Sequence, residues 1–330
     1  MTNNYWPINP ILRALFCLIL FLSNSCFADE FPTKSLTIIV PFSAGGPTDA
    51  VARLLAVPMG KYLGQAVLVE NTVGAGGTLA ANKVAKSQKD GYTLLLHHIG
   101  ISTAPALYAK LNYDTLNDFE YIGEVVNVPM TLIGSKNFAP NNFSELLAYL
   151  QKNKDKVTLA NAGPGAVSQL CGLLFTSQVG IALTQVPYKG TGPAITDLLG
   201  GQVDLLCDQT TNTLTYIRSD KVKLFGVTTP KRLSSLPSTP TLSEQGLKGF
   251  EMVAWHGLYA PKGTPSAALD KLNKALRAAL NDPDVKARLL DLNVEIAKPE
   301  DQTPAALKAK VESEVKKWAP IIKAAGGYIE

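Results

Sequence analysis

The chain has 330 residues, of which 46% are hydrophobic and 18% are charged, a composition typical of a compact globular protein with two domains. Its 31 basic and 27 acidic side chains give a formal net charge of +4, an excess too small to favour nucleic acid as a partner. Four cysteines are too few for the disulfide framework of a small secreted domain.

The N-terminal residues have the pattern of a secretory signal. Arg13 precedes an apolar run over residues 14–22, and small residues follow up to Ala28. That run is too short to cross a bilayer, and no later apolar stretch in the sequence is long enough for a transmembrane helix. We therefore predict a signal peptide over residues 1–28, cleavage after Ala28, and a periplasmic mature protein.

A glycine-rich loop joins the first strand-like run to the first helix-like run. Residues 36–40 are apolar and largely β-branched, and the chain becomes helical in character from Ala50. Gly45 and Gly46 permit unusual backbone angles, and Thr48 suits the first turn of the helix, where free N–H groups favour an anion. The loop has two interpretations: a tight turn that needs two glycines, or a site for a carboxylate or phosphate.

Strands and helices alternate after this loop, which predicts an α/β fold with a mostly parallel sheet covered by helices. Residues 66–70 and 93–96 are strand-like, and residues 78–85 between them are helix-like. The glycine loop over residues 74–77 lacks the third glycine of a dinucleotide fingerprint, since Leu79 occupies that position, so we predict no cofactor.

A second block, residues 130–225, has its own alternating strands and helices. Its strand-like runs end in loops rich in small residues, at residues 161–166, 187–192 and 208–212. Ligands of parallel sheets bind beyond the carboxyl ends of the strands. We therefore expect these loops to line a binding cleft.

From Val227 onward the chain is rich in proline, and residues 250–259 lie in a passage that we interpret as mainly loop. Helix-like segments then follow at residues 267–280, 283–290 and 303–325. We expect this tail to return to the first domain.

These patterns predict that residues 29–128 begin domain 1, that residues 129–226 form an inserted domain 2, and that residues 227–330 complete domain 1. Two crossing segments, near residues 125–129 and 225–229, would form the hinge. Two domains joined by two strands are suited to closing on a ligand.

The sequence offers few groups for catalysis. His97 and His98 are adjacent and point to opposite faces of a strand, and for both, as for His256, packing or surface roles explain the residue better than metal ligation. No nucleophile elbow, protease pattern or zinc spacing is present in the sequence. We predict no catalytic residue, no metal and no enzyme activity.

Cys171 and Cys207 are the two cysteines beyond the predicted signal. They could form one disulfide in an oxidising compartment or remain two buried free thiols. The local sequence suits both alternatives equally well.

Short motifs follow one another in a fixed order along nearly the whole predicted mature chain. They are Val40-Pro41-Phe42 with Ala44-Gly45-Gly46-Pro47-Thr48-Asp49, Val69-Glu70-Asn71 with Gly74-Ala75-Gly76-Gly77, Asp90-Gly91-Tyr92-Thr93-Leu94, Val186-Pro187-Tyr188-Lys189-Gly190, Asp197-Leu198-Leu199-Gly200-Gly201-Gln202-Val203-Asp204, Trp255-His256-Gly257-Leu258 and Ala260-Pro261-Lys262-Gly263-Thr264-Pro265. In this order they resemble the substrate-binding proteins of tripartite tricarboxylate transporters, also called the Bug family.

The resemblance implies a type 2 periplasmic-binding-protein fold, with two α/β domains, a ligand cleft and a two-strand hinge. It also implies a solute-binding protein, for which we expect a monomer, that captures a small carboxylate and delivers it to membrane transporter subunits. The ligand-binding residues carried over by resemblance are Phe42, Ala44, Gly45, Gly46, Thr48 and Asp49 in the first domain, and Gly163, Gly165, Ala166, Tyr188, Lys189, Gly190 and Asp208 in the second.

The chain departs from the family pattern in the second-domain loop. Relatives usually have Gly-x-Gly-Ser followed shortly by His, whereas this chain has Ala166 and then Gln169. The change removes a serine hydroxyl that would donate to a ligand, so the customary ligands cannot be assumed. Asp208 also has two interpretations: it selects an amino group on the ligand, or it only braces neighbouring backbone N–H groups.

Two other functions fit the same cleft. One is an extracytoplasmic sensor subunit with a signalling partner. The other is an exported enzyme on the same fold, which is disfavoured because the sequence shows no pair of nucleophile and base.

Overall fold

The structure is a computed structural model that describes residues 31–324. The predicted signal peptide and its cleavage after Ala28 lie outside these residues. Within residues 31–324, no helix combines the length and the hydrophobicity needed to cross a membrane.

Residues 31–324 form ten strands and ten α-helices. The strands are β1 (Leu36–Val40), β2 (Val67–Asn71), β3 (Thr93–His98), β4 (Phe119–Ser135), β5 (Thr158–Asn161), β6 (Thr184–Pro187), β7 (Leu205–Gln209), β8 (Val222–Val227), β9 (Val253–Pro261) and β10 (Glu295–Ile296). The helices are α1 (Pro47–Leu63), α2 (Thr78–Ala85), α3 (Gly100–Leu107), α4 (Phe143–Asn153), α5 (Val167–Val179), α6 (Thr191–Leu199), α7 (Thr210–Arg218), α8 (Ser266–Asn281), α9 (Pro283–Asp291) and α10 (Pro304–Ala324). Short 3-10 turns lie at Ala75–Gly77 and Lys154–Lys156.

The strands belong to one continuous mixed sheet, in the order β2-β1-β3-β9-β4-β7-β5-β6, with β8 and β10 also paired to β4. On its flanks the pairing is parallel, β1 with β2 and β3, and β5 with β6 and β7. The centre is antiparallel, because β9 pairs with β3 and β4, and β7 pairs with β4. The expected parallel pairing is therefore correct for the flanks and wrong for the centre.

One strand serves both halves of the sheet. β4 is 17 residues long, and its residues 119–129 pair with β9 while residues 130–134 pair with β7. We call residues 31–129 together with 253–324 the first lobe, and residues 130–227 the second lobe. The predicted domain boundaries at residues 129 and 227 stay a prediction.

The sequence predicts that residues 250–259 are mainly loop, and this prediction is wrong. Val253–Pro261 forms β9, and eight of its nine residues are buried. Its partners in β3 and β4 lie far away along the chain. The surrounding prolines signal turns locally and give no sign of these distant partners.

The parallel strands place the starts of several helices together. α5, α6 and α7 begin just beyond β5, β6 and β7, and α1 begins just beyond β1 in the first lobe. Within each lobe the carboxyl ends of the parallel strands share one edge. The antiparallel centre makes β5, β6 and β7 run opposite to β1, so the first turns of these helices approach a common space from the two lobes.

A disulfide joins Cys171 of α5 to Cys207 of β7, with 6.1 Å between the two Cα atoms. Both residues are buried. Of the two alternatives left open by the sequence, the structure has the disulfide. It ties the helix that starts at the second-lobe loop to the strand that ends in Asp208.

Candidate ligand-binding site

Loops from both lobes meet around a buried inner cavity at the ends of the parallel strands. Its volume is about 10 Å³, which is room for about one water molecule. It is lined by Phe42, Pro47, Thr48, His98, Ala162, Ala166, Val167, Ser168, Thr191, Asp208 and Gln209. None of these is lysine or arginine, and a ligand larger than water needs the lobes to separate and close again around it.

Four helices contribute their first residues or their N-caps to this lining: α1, α5, α6 and α7. Their N-cap residues are Gly46, Ala166, Gly190 and Gln209, and none of the four accepts a hydrogen bond from its helix through a side chain. The first N–H groups of each helix are therefore free of side-chain caps. Converging helix dipoles make the cavity attractive to an anion without any cationic side chain.

The lobes touch each other through three hydrogen bonds around the cavity. Ser43 N donates to the Lys189 carbonyl over 3.1 Å. The Tyr108 hydroxyl donates to the Pro164 carbonyl over 3.0 Å, and the Thr103 hydroxyl donates to the Gly165 carbonyl over 3.4 Å. The structure is therefore a closed form of the two lobes.

Two glycines allow this close approach. A Cβ atom on Gly76, whose φ is +59°, would lie 1.7 Å from the Pro164 carbonyl oxygen of the other lobe. A Cβ atom on Gly190 would lie 2.2 Å from Ser43 Oγ. Any larger residue at either position would keep the lobes apart.

An outer pocket of about 540 Å³ adjoins the inner cavity, and Phe42 and Ala162 line both. Its wall in the first lobe includes the glycine loop over residues 74–77. Its wall in the second lobe includes Gly163, Tyr188 and Lys189. The pocket provides space next to the inner cavity where a longer ligand could extend.

The predicted ligand-binding residues fall into three groups. Phe42, Thr48, Ala166 and Asp208 line the inner cavity, and Gly163, Tyr188 and Lys189, together with Phe42, line the outer pocket. Ala44, Gly45, Gly46, Asp49, Gly165 and Gly190 line neither of these two spaces. Of the last group, Gly46 and Gly190 are the N-caps of α1 and α6.

The carboxylate of Asp49 is already occupied by groups of the first lobe. It accepts hydrogen bonds from Gly45 N at 2.9 Å, from Arg53 Nε at 2.9 Å and from Asn71 Nδ2 at 3.0 Å. Burial raises the pKa of Asp49, but hydrogen bonds, led by the one from Arg53, outweigh it and hold the pKa below the ordinary 3.8. Asp49 thus shapes the glycine loop of residues 42–49.

Asp208 is different, because half of its carboxylate lacks a partner in the protein. The residue is fully buried at the end of β7. Oδ2 accepts a hydrogen bond from Asn212 Nδ2 over 2.6 Å, and Oδ1 has no partner. Burial raises the pKa of Asp208 to about 6, although hydrogen bonds, led by that from Asn212, oppose the rise.

His98 lines the inner cavity, a position that the sequence did not reveal. Its Nδ1 accepts a hydrogen bond from Gly100 N over 2.9 Å, so the proton of the neutral ring lies on Nε2. The ring stacks on Phe42 with 4.7 Å between centroids. Burial holds the pKa of His98 well below its ordinary 6.5, so the ring that lines the cavity is neutral.

His256 supports Thr48 from beneath the cavity. Its Nδ1 lies 3.2 Å from the Ala254 carbonyl, to which it must donate, and its Nε2 accepts from the Thr48 hydroxyl over 3.1 Å. Burial lowers the pKa of His256 to about 3. A neutral His256 thereby fixes the hydroxyl of the first turn of α1.

The residues that depart from the family pattern also have places in the structure. Ala166 is fully buried in the inner cavity wall. Gln169 accepts a hydrogen bond from Gly165 N through Oε1 over 3.3 Å. Gln169 therefore holds the second-lobe loop, while Ala166 leaves a side of the cavity without a hydroxyl.

The loops described above coincide with the motifs of a known family. The family model described as "Tripartite tricarboxylate transporter family receptor" matches residues 51–327. The chain belongs to this family. Among curated proteins of similar sequence, a protein from the TAR-I ttuE-ttuC' intergenic region of Agrobacterium vitis is 50% identical over 90% of this chain and 86% of its own length. BugT of Bordetella pertussis is 32% identical over 92% of this chain and 93% of its own length.

Solved structures of the tricarboxylate-receptor type have the same fold. The periplasmic binding protein BugD is 51% identical, with a TM-score of 0.89, over 91% of this chain and all of BugD. MatC of Rhodopseudomonas palustris, with bound malate, is 41% identical, with a TM-score of 0.86, over 88% of this chain and all of MatC. An R. palustris protein with adipate is 30% identical, with a TM-score of 0.86, over 91% of this chain and all of its own length. The predicted family and the predicted two-domain periplasmic-binding fold are confirmed.

Proposed function

We propose that this chain is an extracytoplasmic solute-binding protein that captures a small carboxylate between its lobes and delivers it to a tripartite tricarboxylate-type membrane transporter. The observation that carries the proposal is the convergence of four helix N-termini, none with a side-chain cap, on a cavity without lysine or arginine. Malate and adipate in two structural relatives support a carboxylate as the ligand.

The chemistry of capture follows from the cost of dehydrating an anion. A carboxylate that enters the cleft loses its water and needs several hydrogen bonds at once. One helix N-terminus supplies about 0.3 to 1 kcal/mol in exposed geometry and up to about 2 kcal/mol when partly buried. Several helix starts, with the His98 N–H, could therefore replace the missing cationic side chain.

We further propose that both lobes hold the ligand at once. The first lobe would act through the loop of residues 42–48, and the second through residues 163–166, residues 188–190 and Asp208. Ligand that contacts both lobes favours the closed form, and the closed form is what the transporter subunits would recognise. Export to the periplasm would depend on the predicted signal over residues 1–28, and binding would occur without turnover.

A thermal-shift screen of residues 29–330 tests the binding step. Mono-, di- and tricarboxylates are added one at a time, and sodium sulfate at equal ionic strength is the control for a general anion effect. A true ligand at 100 times its Kd should stabilise the fold by about 2.7 kcal/mol, or about 5 to 10 °C in Tm. No shift with any carboxylate would contradict the proposal, and so would consumption of the ligand seen by NMR.

Uptake measurements test the delivery step. Cells that lack the gene should lose uptake of the radiolabelled ligand found in the screen, and a plasmid copy should restore it. Unchanged uptake in those cells would contradict delivery to a transporter even if binding is tight.

A further inference from the structure

An ion pair joins the two lobes outside the cleft. Arg218, the last residue of α7 in the second lobe, contacts Asp291, the last residue of α9 in the first lobe. Arg218 Nη1 donates to Asp291 Oδ1 over 2.9 Å, and Nη2 donates to the Asp291 backbone carbonyl over 2.9 Å. Neither residue lines the inner cavity or the outer pocket. One guanidinium thus makes two charge-assisted hydrogen bonds between the lobes.

The end of α9 is a favourable place for a cation. The dipole of a helix makes its C-terminus partly negative, and its last carbonyls lack donors within the helix. Asp291 adds a negative side chain at this end, which the dipole disfavours unless a cation pairs with it. Arg218 meets both needs, because it contacts the carboxylate and the last carbonyl of α9.

Asp291 has a second partner within its own lobe. Arg288, one turn earlier in α9, donates to Asp291 Oδ2 over 3.3 Å. Asp291 therefore stays paired when the lobes separate, whereas Arg218 loses this acid. Asp220 lies two residues after Arg218, but it forms an ion pair with Lys136. Opening thus costs the two bonds of Arg218 and no others at this place, so the pair can hold the lobes reversibly.

Helix α7 links this ion pair to the inner cavity. Its N-cap, Gln209, lines the cavity, and Arg218 lies at its other end, about 12 Å away along the helix axis. A helix of nine residues moves as one body. The same element therefore carries a cavity residue at one end and the contact with the first lobe at the other.

We infer that Arg218 is a positioning residue for closure, which holds α7 against α9 and keeps part of the unliganded protein closed. A ligand that needs the closed form binds more tightly when part of the protein is closed beforehand. Arg218 thereby raises the affinity of the cleft without touching the ligand. The inference goes beyond the proposed function, since it concerns how the lobes close and not what they bind.

Single-molecule fluorescence energy transfer measures the ratio of closed to open protein without any ligand. Residues 29–330 carry one dye in each lobe, at Lys86→Cys and Lys152→Cys, which are exposed positions. At about 20 mM salt, Arg218→Gln should lower the ratio at least about threefold, a loss within the range of exposed ion pairs. At about 1 M salt the difference from the wild type should shrink, because salt screens exposed charges.

Arg288→Gln is the matched control, because it removes the same charge beside the same carboxylate but within one lobe. It should not lower the ratio, since it leaves Asp291 to Arg218 alone. Asp291→Asn should lower the ratio less than Arg218→Gln does, because the backbone carbonyl still accepts a bond. The two substitutions together should lower it no further than Arg218→Gln alone.

Three results would overturn the inference. They are a ratio that Arg218→Gln does not lower, an equal loss with Arg288→Gln, and a wild type without closed molecules before ligand is added. None of them bears on the proposed function, because no ligand is used. Failure of the carboxylate screen would in turn leave the role of Arg218 standing, so the two failures can be told apart.

Discussion

Replacing Asp208 with Asn should change how the stability of the unliganded protein depends on pH. Burial raises the pKa of Asp208 to about 6 in the folded protein, against an ordinary 3.8 in the unfolded chain. The folded state therefore binds a proton between these two values that the unfolded state has released. The stabilising contribution of Asp208 is complete below pH 3.8 and is lost as the pH rises through 6.

The size of the effect follows from the same two values. The difference between about 6 and 3.8 corresponds to about 3 kcal/mol when the loss is complete. Between pH 4.5 and pH 7.5 the contribution of Asp208 should fall by about 2 kcal/mol. The buried histidines also make stability depend on pH in this range, because they bind a proton in the unfolded chain and stay neutral in the folded one. They are present in both proteins, so their contribution cancels in the difference.

Urea unfolding of wild type and Asp208→Asn at several pH values from 4.5 to 7.5 measures this difference. Relative to the wild type, the variant should gain about 2 kcal/mol of unfolding free energy across that range, whatever constant offset the substitution adds. Asp155→Asn, which is exposed, should run parallel to the wild type. Parallel curves for Asp208→Asn would refute the argument that the carboxylate is buried at a raised pKa.

Three further predictions test other parts of the structure. Gly76→Ala should block closure of the lobes and weaken ligand binding at least about 10-fold in calorimetry. The control is Gly180→Ala, because Gly180 has a similar positive φ and open space around it, and it should leave the affinity unchanged. An equal loss of affinity in both variants would contradict the role of Gly76 in closure. Replacing both Cys171 and Cys207 with Ser should lower the free energy of unfolding in urea by about 4 kcal/mol, because the disulfide closes a loop with a 36-residue separation. An unchanged urea midpoint of unfolding would contradict this prediction. The pKa of His256, about 3, lies below the ordinary 6.5, so His256 should lower the free energy of unfolding by about 2 kcal/mol as the pH falls from 7.5 to 5. His256→Gln should remove this part of the pH dependence. An unchanged slope of unfolding free energy against pH would contradict the prediction.

Local patterns were sufficient to predict the parallel flanks of the sheet and to group the loops that line the candidate cleft. The alternation of strands and helices follows from hydrophobic period and turn residues, both of which act over a few neighbours. The loops after β5, β6 and β7 could be placed together because the carboxyl ends of parallel strands share one edge. The loop after β1 lies in the other lobe, and the antiparallel pairing of β9 and β4 brings it to face them. The structure brings residues of all four loops to the inner cavity, among them Thr48, Ala166, Thr191 and Asp208.

The pairing between distant segments could not be predicted from the sequence. The antiparallel centre depends on β4 and β9, whose paired residues are more than a hundred positions apart. The occupied carboxylate of Asp49 depends on Asn71 in β2, and the cavity position of His98 depends on Phe42 stacking against it. One signal could have pointed to His98: it is the last residue of a strand in a sheet whose ligands bind beyond strand ends.

The residues that join the lobes beside the cavity by hydrogen bonds do not line the inner cavity. Beside the cavity the lobes join through backbone carbonyls, with Ser43 N against Lys189 and the Tyr108 hydroxyl against Pro164. Arg218 also pairs with Asp291 across the lobes. Asp208 faces the inner cavity. Under the proposed function, any ligand that lets the lobes close produces the same outer surface for a transporter to recognise. Specificity would then depend on the residues that line the inner cavity, and recognition by the partner would depend only on closure.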